Sequence, residues 1–183
     1  SPSTYNQIRA ATPTPTPTPT TGRIAFASNL DGDWDIYIMD ADGSNVIKLT
    51  SDVWDGANAD DRPLDDYHPA WSPDGTKIAF RTTYQSGGGV GYDGSEIYTM
   101  DANGGSLFNV TNDCWEFPDY CAYSGDDFYP TWSPDGTKIA FNSNKYGYHH
   151  IFVIDADGGN RTDLTGSFHQ WGAHEMPAWS PDG

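Results

Sequence analysis

PAWSPDGTKIAF (residues 69–80) is the stretch that decides the fold. It returns as PTWSPDGTKIAF at 130–141, and its first half returns as PAWSPDG at 177–183. Ser-Pro-Asp-Gly is a tight-turn sequence, since proline presets one backbone angle and glycine accepts a positive one. The apolar KIAF that follows is typical of a strand. Each full copy therefore predicts two short strands joined by a turn.

A second pair of strands follows in each repeat. DIYIMD, EIYTMD and HIFVID alternate as strands do, the Gly-rich DADGSN, DANGGS and DADGGN predict hairpin turns, and VIKLT, LFNVT and RTDLT predict a last strand. The aligned parts of the repeats lie at 22–50, 68–111 and 129–165, with a partial fourth at 176–183. Four-stranded antiparallel units without helical periodicity are typical of the blades of an all-β propeller.

The repeated letters P-x-W-S-P-D-G-T-K-I-A-F and I-Y-x-M-D-A-D-G resemble the WD-like repeat of the TolB-type β-propellers over residues 22–183. The resemblance implies a propeller, most often of six blades, in bacterial envelope or secreted proteins, where it mediates protein–protein contact. It also implies an alternative, the accessory propeller of enzymes similar to prolyl oligopeptidase. The chain departs from the family in having three repeats and long acidic insertions.

The order of the predicted strands leaves both ends of the array incomplete. We name the strands of a repeat in chain order: a precedes the Ser-Pro-Asp-Gly turn, b is KIAF or its equivalent, c is DIYIMD or its equivalent, and d is the last strand. The chain then reads bcd–abcd–abcd–a, and three blades are too few to close a ring. We expect a fragment of a longer six-bladed protein, two chains that close one ring, or a filament grown by strand addition. In both assemblies the pairing residues are those of the first strand b and the last strand a, namely Arg23, Ile24, Ala25, Phe26, Pro177, Ala178, Trp179 and Ser180.

Charge limits the classes of partner. The chain has 9 basic and 26 acidic residues, for a net charge of −17, which disfavours nucleic acid and anionic membrane surfaces. No apolar run is long enough for a membrane-spanning helix, so no membrane insertion is expected. The partners that we expect are copies of the chain itself, another envelope or extracellular protein, or a glycan.

Residues 1–21 differ in composition from the propeller repeats at 22–183 and form a Thr/Pro-rich tail and linker. Alternating threonine and proline excludes a helix and predicts an extended polyproline-type spacer. Stalks of this composition often carry O-glycans. The candidate positions for O-glycans are Thr12, Thr14, Thr16 and Thr18, and formal N-glycosylation sequons begin at Asn109 and Asn160.

Cys114 and Cys121 are the only cysteines and bracket the loop CWEFPDYC. An even count at short spacing predicts a local disulfide in an oxidising compartment. A chain that begins at Ser1 is either a fragment or a mature chain whose signal peptide has been removed. Together these features predict a secreted, extracellular or periplasmic protein.

Acidic residues form two candidate sites. Asp31, Asp33 and Asp35 stand at alternate positions and could bind Ca²⁺ through their carboxylates, although Asp-Gly is also an ordinary hairpin turn. The insertions at 51–67 and 112–129 are acidic and aromatic, which predicts either a solvated loop or a binding rim. The rim residues are the tryptophans and acid pairs before strand a, namely Trp54, Asp65, Asp66, Trp115, Asp126, Asp127 and Trp171.

Catalytic motifs are missing from the sequence, which has no G-x-S-x-G elbow and no Gly-rich phosphate loop before a helix. We therefore expect no enzymatic activity, and no cofactor apart from the candidate Ca²⁺. The sequence predicts a secreted structural or interaction protein that self-assembles through strand exchange into a ring or a fibre. The alternatives are a fragment of a longer TolB-like envelope protein that binds other proteins, and an accessory propeller of a hydrolase.

Overall fold

The computed structural model describes residues 22–51, 65–84, 94–112, 125–167 and 172–183. Eleven β-strands and no helix lie within these ranges. Accordingly, the described residues include no helix that could span a membrane. The tail at 1–21 lies outside them, so its extended conformation stays a prediction.

The strands form three antiparallel sheets, one for each repeat, and neighbours in each sheet follow chain order. The first sheet contains β1 (Arg23–Ser28), β2 (Asp35–Asp40) and β3 (Ile47–Lys48). The second contains β4 (Asp66–Trp71), β5 (Lys77–Tyr84), β6 (Gly94–Asp101) and β7 (Phe108–Asn109). The third contains β8 (Asp127–Trp132), β9 (Lys138–Ser143), β10 (His150–Asp155) and β11 (Thr162–Asp163). The all-β, bladed architecture predicted from the repeats is confirmed.

The Ser-Pro-Asp-Gly turns have the same hydrogen bonds in both four-stranded blades. Gly75 N donates to Ser72 O, and Gly136 N donates to Ser133 O, each at 2.9 Å. The carboxylate of Asp135 accepts the Ser133 hydroxyl, which holds the pKa of Asp135 at about 2. A deprotonated aspartate therefore stabilises the turn across the physiological pH range.

The innermost strands, β4 and β8, each contain a bulge. The pairing of β4 with β5 shifts register after Tyr67, and the pairing of β8 with β9 shifts after Phe128. The next residues, His68 and Tyr129, have positive φ angles of 54° and 52°. β4 pairs with β5 both before and after its bulge. Strand a of the second blade therefore begins at Asp66, two residues before the start predicted from the sequence.

The core consists of side chains that face each other across blade junctions. Between the first and second blades these are Ile36, Ile38, Ile78, Phe80 and Met100. Between the second and third blades they are Ala79, Ile97, Val110, Trp132, Ile139, Phe141, Phe152 and Ile154. Alternate residues of β5 thus face opposite blades, as the two-residue period of a strand requires. Full burial of one such aliphatic or aromatic side chain stabilises the fold by about 1.5–3 kcal/mol.

Hydrogen bonds at the start of strand c join each blade to the next inner strand. Trp34 O accepts from Asp66 N at 2.6 Å, and Ser95 Oγ donates to a carbonyl of β8 at 3.2 Å. In the third blade, His149 O accepts from His174 N at 2.9 Å. This last contact attaches residues 172–183 where the inner strand of a following blade would lie.

Candidate functional site

One edge of the first blade is open. β1 is strand b of its blade and pairs only with β2 among the described strands, whereas β5 and β9 pair on both sides. Ile24 is 42% exposed, although the equivalent Ile78 and Ile139 are completely buried. β1 therefore presents unpaired backbone groups together with an apolar side chain.

Residues 172–183, which we call the terminal segment, have the conformation of a strand a. Met176 has a φ of 54°, the same as His68 at the bulge of β4. Gly183 N donates to Ser180 O at 3.1 Å, as in the two Ser-Pro-Asp-Gly turns. Pro177–Ser180 forms no ladder within the described residues, which contain no strand b beside it, and its pairing with strand b of another copy stays a prediction.

Trp179 anchors the terminal segment to the third blade. Its Nε1 donates to Thr131 O at 3.3 Å. Trp132 makes the equivalent hydrogen bond one blade earlier, with Nε1 donating to Ala70 O at 3.1 Å. The eight predicted assembly residues thus lie on two separate elements, β1 and the terminal segment. Within the described ranges β1 has no strand a beside it, and the terminal segment has no strand b beside it.

Two of the three aspartates of the candidate calcium site contact a lysine ammonium. Carboxylate oxygens of Asp31, Asp33 and Asp35 lie within 4.8 Å of one another. Lys48 Nζ lies 2.5 Å from Oδ2 of Asp31 and 2.5 Å from Oδ2 of Asp35. Burial raises the pKa of Asp35, while the hydrogen bond from Lys48 lowers that of Asp31. Calcium binding stays a prediction, and it would require displacement of the Lys48 ammonium, which the sequence analysis missed.

The positions of Asp35 in strand c and Lys48 in strand d are occupied by different polar pairs in the other two blades. In the second blade, Asn109 Nδ2 donates to the Glu96 carboxylate. In the third, His150 Nδ1 lies 2.8 Å from Asp163 Oδ2. The cluster of acids around a lysine is therefore particular to the first blade.

The predicted acidic rim is divided by burial. Asp65 and Asp126 are partly exposed, whereas Asp66 is 6% and Asp127 0% exposed. Asp66 and Asp127 are therefore not part of an exposed rim, because alternation along the inner strand turns them into the blade packing. Burial raises the pKa of Asp66 to about 6, and Arg161 Nη2 lies 3.4 Å from Asp127 Oδ1.

A row of rings follows the inner strands across two blade junctions. The ring centroids lie 5.4 Å apart for Trp34 and Tyr67, 5.9 Å for Tyr67 and His68, 4.2 Å for His68 and Tyr129, 6.2 Å for Tyr129 and Phe128, and 5.5 Å for Phe128 and His149. Sequence analysis did not predict this row, because the contacts of Trp34 with Tyr67 and of His68 with Tyr129 link different repeats and form only through blade packing.

The asparagines of the two predicted N-glycosylation sequons both make contacts within their blades. Asn109 Nδ2 also donates to Tyr98 Oη at 3.1 Å, and Asn160 Nδ2 donates to Asp155 Oδ2 at 2.6 Å. Glycosylation stays a prediction. Other predicted residues lie outside the described ranges, namely Thr12, Thr14, Thr16, Thr18, Trp54, Cys114, Trp115, Cys121 and Trp171.

Known proteins share the repeat. A TolB homolog from Chlorobium luteolum is 31% identical over 162 residues, which cover 74% of this chain and 35% of that protein. Dipeptidyl-peptidase 5 from Porphyromonas gingivalis is 31% identical over 119 residues, which cover 62% of this chain and 16% of that protein. The solved structure of a TolB-type protein from Agrobacterium tumefaciens has a TM-score of 0.64 at 25% identity, over 88% of this chain and 47% of that one. No family model matches the chain. The chain spans less than half the length of each of these proteins.

Proposed function

Because the repeats of this chain are of the TolB type, we propose that it is a non-enzymatic protein–protein interaction module that assembles with copies of itself in a secreted or periplasmic setting. One observation carries the proposal: among the described residues no strand a lies beside β1, and the terminal segment there has the shape of a strand a with no strand b beside it. Joining the two between copies would complete a blade from two chains, as in domain swapping.

We infer the register between β1 of one copy and the terminal segment of another from the pairing within the complete blades. In the second blade Ala70 lies opposite Ala79, and Trp71 lies opposite Ile78. By repeat equivalence, Ala178 of one copy would lie opposite Ala25 of another, and Trp179 would cover Ile24. Main-chain hydrogen bonds would then satisfy the open edge of β1, and the tryptophan would bury the exposed isoleucine.

A closed ring of two copies is the assembly that we favour over a filament. The described strands of one copy, with the terminal segment counted as a strand a, are enough for three blades, so two copies would supply six. Propellers contain about 4–8 blades, and a closed ring leaves no open edge for further addition.

Cysteine cross-linking tests the register directly. The double variant Ala25→Cys with Ala178→Cys places one thiol on each side of the proposed joint, and mild oxidation should yield a disulfide-linked dimer on a non-reducing gel. The matched control is Ala27→Cys with Ala178→Cys, which displaces one thiol by about 7 Å along β1. The parent chain, with Cys114 and Cys121 alone, measures cross-linking that does not involve the joint.

Sedimentation velocity of the parent chain then identifies the assembly. A particle of two chains supports the ring, whereas a series of larger species would replace the ring with a filament built on the same joint. A monomer at every concentration, together with equal cross-linking of both cysteine pairs, would overturn self-assembly.

A second candidate function follows from the similarity to dipeptidyl-peptidase 5, of which the chain matches 16%. In this alternative the repeats form part of a propeller that accompanies a catalytic domain. A monomeric chain that gains β-sheet content only when residues preceding or following it in a longer chain are supplied would favour this alternative over self-assembly.

A further inference from the structure

Arg81 lies on β5 between the rings of two blades. Its guanidinium carbon is 5.4 Å from the centroid of the Tyr67 ring in its own blade and 4.5 Å from that of Phe128 in the next blade. Tyr67 and Phe128 hold the same position in successive repeats, so the guanidinium spans a blade junction. Aromatic faces on both sides attract the cation and hold it in place.

The Arg81 guanidinium lacks a carboxylate partner within the part of the chain that the structure describes. Its Nε is buried and has no hydrogen-bond acceptor there. Asp126 and Asp65 attract it through space without forming an ion pair with it. Burial lowers the pKa of Arg81 from its usual value, but a guanidinium remains charged at neutral pH.

His68 adds a second unsatisfied nitrogen to the same cluster of rings. Its Nδ1 is buried without a hydrogen-bond partner among the described residues, and its ring lies 4.2 Å from that of Tyr129. Burial, and then the charge of Arg81, lower the pKa of His68, so the imidazole is neutral at pH 7. Two unsatisfied polar groups thus face one blade junction.

Blade packing does not require an arginine at this position. The equivalent residue is Ala27 in the first repeat and Asn142 in the third, and both repeats form the same strand b. Arg81 is therefore a feature of one junction and not of the repeat.

We propose that this junction binds a peptide carboxylate, which accepts hydrogen bonds from the Arg81 guanidinium while the rings of Tyr67, Phe128 and Tyr129 flank it. A planar carboxylate matches the fork of N–H donors that the guanidinium presents. Asp65, Asp126 and the net charge of −17 disfavour more highly charged anions such as phosphate. The proposal is independent of self-assembly, because Arg81 lies on a strand that is paired on both sides.

NMR of the full chain with ¹⁵N-labelled arginine provides the test. Titration with N-acetylphenylalanine should shift the Arg81 Nε–H signal, whereas N-acetylphenylalanine amide, which has the same ring but no charge, should leave it unchanged. N-acetylaspartate amide carries its carboxylate on the side chain, and its affinity relative to N-acetylphenylalanine assigns the source as a side chain or a chain terminus.

Three variants separate the guanidinium from general charge effects, with the backbone amides of Tyr67 and Phe128 as the readout. Arg81→Asn copies the third repeat and should weaken carboxylate binding by at least about tenfold while the protein remains folded. Arg81→Lys keeps the charge but loses the fork, and should weaken binding by a smaller factor. Lys77→Gln removes one positive charge from the same strand and should change nothing.

Three results would overturn the proposal. The first is titration of Arg81→Asn with the same affinity as the parent protein, with thermal unfolding confirming that the variant is folded. The second is equal binding of the amide and the carboxylate. The third is equal binding of inorganic phosphate, which would make the site a general anion site.

Discussion

Ile24 and Ile78 hold the same position in successive repeats, yet Ile24 is 42% exposed and Ile78 is completely buried. Ile78 is covered by strand a of its own blade and by Ile36 and Ile38 of the first blade. β1 has no strand a beside it among the described strands. The difference in exposure between the two isoleucines therefore shows how much cover Ile24 lacks at the open edge of β1.

Truncation of the two isoleucines should have different effects. Ile78→Ala should lower the free energy of unfolding by about 2–5 kcal/mol, because it leaves a cavity in the core. Ile24→Ala should cost less than about 1 kcal/mol in dilute protein but should weaken association between copies. Urea denaturation and sedimentation at several concentrations measure the two effects. Equal losses of stability, with unchanged association, would contradict the assignment of Ile24 to an assembly edge.

The Trp179 hydrogen bond should control attachment of the terminal segment. Trp179→Phe removes the donor to Thr131 O but keeps an aromatic ring, so local attachment should weaken by about 0.5–1.5 kcal/mol. Hydrogen exchange of the His174 amide, which donates to His149 O, reports this attachment and should become up to about tenfold faster. The Gly75 amide, in the first Ser-Pro-Asp-Gly turn, is the internal control and should exchange at its original rate.

Asp66 should make stability depend on pH. Burial raises its folded-state pKa to about 6 from an ordinary value of 3.8, so between these values the folded state binds more protons than the unfolded state. Stability contributed by protonated Asp66 is therefore present in acid and is lost as the pH rises towards and above about 6. The shift corresponds to about 3 kcal/mol at most.

Asp66→Asn removes this dependence. The variant should gain stability relative to the parent at pH 7 and lose that advantage near pH 4, as measured by urea denaturation at both values. Asp65→Asn, next in the sequence and partly exposed, controls for the loss of one negative charge. A stability difference between Asp66→Asn and the parent that is the same at both pH values would contradict burial of an ionisable carboxyl.

Lys48 should stabilise the first blade through the buried Asp35. Lys48→Gln leaves a carboxylate with 1% side-chain exposure without its cation and should lower the free energy of unfolding by about 3–5 kcal/mol. The double variant Asp35→Glu with Lys48→Asn copies the uncharged partner of the second repeat and should recover part of the loss.

Calcium should affect the Lys48 variant more than the parent. With the ammonium removed, the three carboxylates become available to a divalent ion, so calcium should raise the unfolding temperature of Lys48→Gln. The parent should show a smaller shift. An equal shift in both proteins would mean that calcium binds elsewhere.

The elements that sequence predicts well here are those with local signals. Strands b and c follow from apolar alternation, and the turns follow from their proline and glycine residues, with Gly75 at a φ of 69°. The bulge at His68 was not predicted, because no residue type there requires a positive φ. The contact of Arg81 with Phe128 could not be predicted either, since it depends on the packing of one blade on the next.

The bulges also show where this fold gives up stability. His68 and Tyr129 in the bulges, and Met176 at the equivalent position of the terminal segment, adopt left-handed backbone angles that glycine would accept, at a cost of about 1–2 kcal/mol for each residue with a Cβ. Glycine at these positions would relieve that strain and erase the side chains lining the innermost strands. Stability gained by glycine at His68 or Tyr129 would therefore be accompanied by loss of the ring contacts that these two side chains contribute to the inner strands.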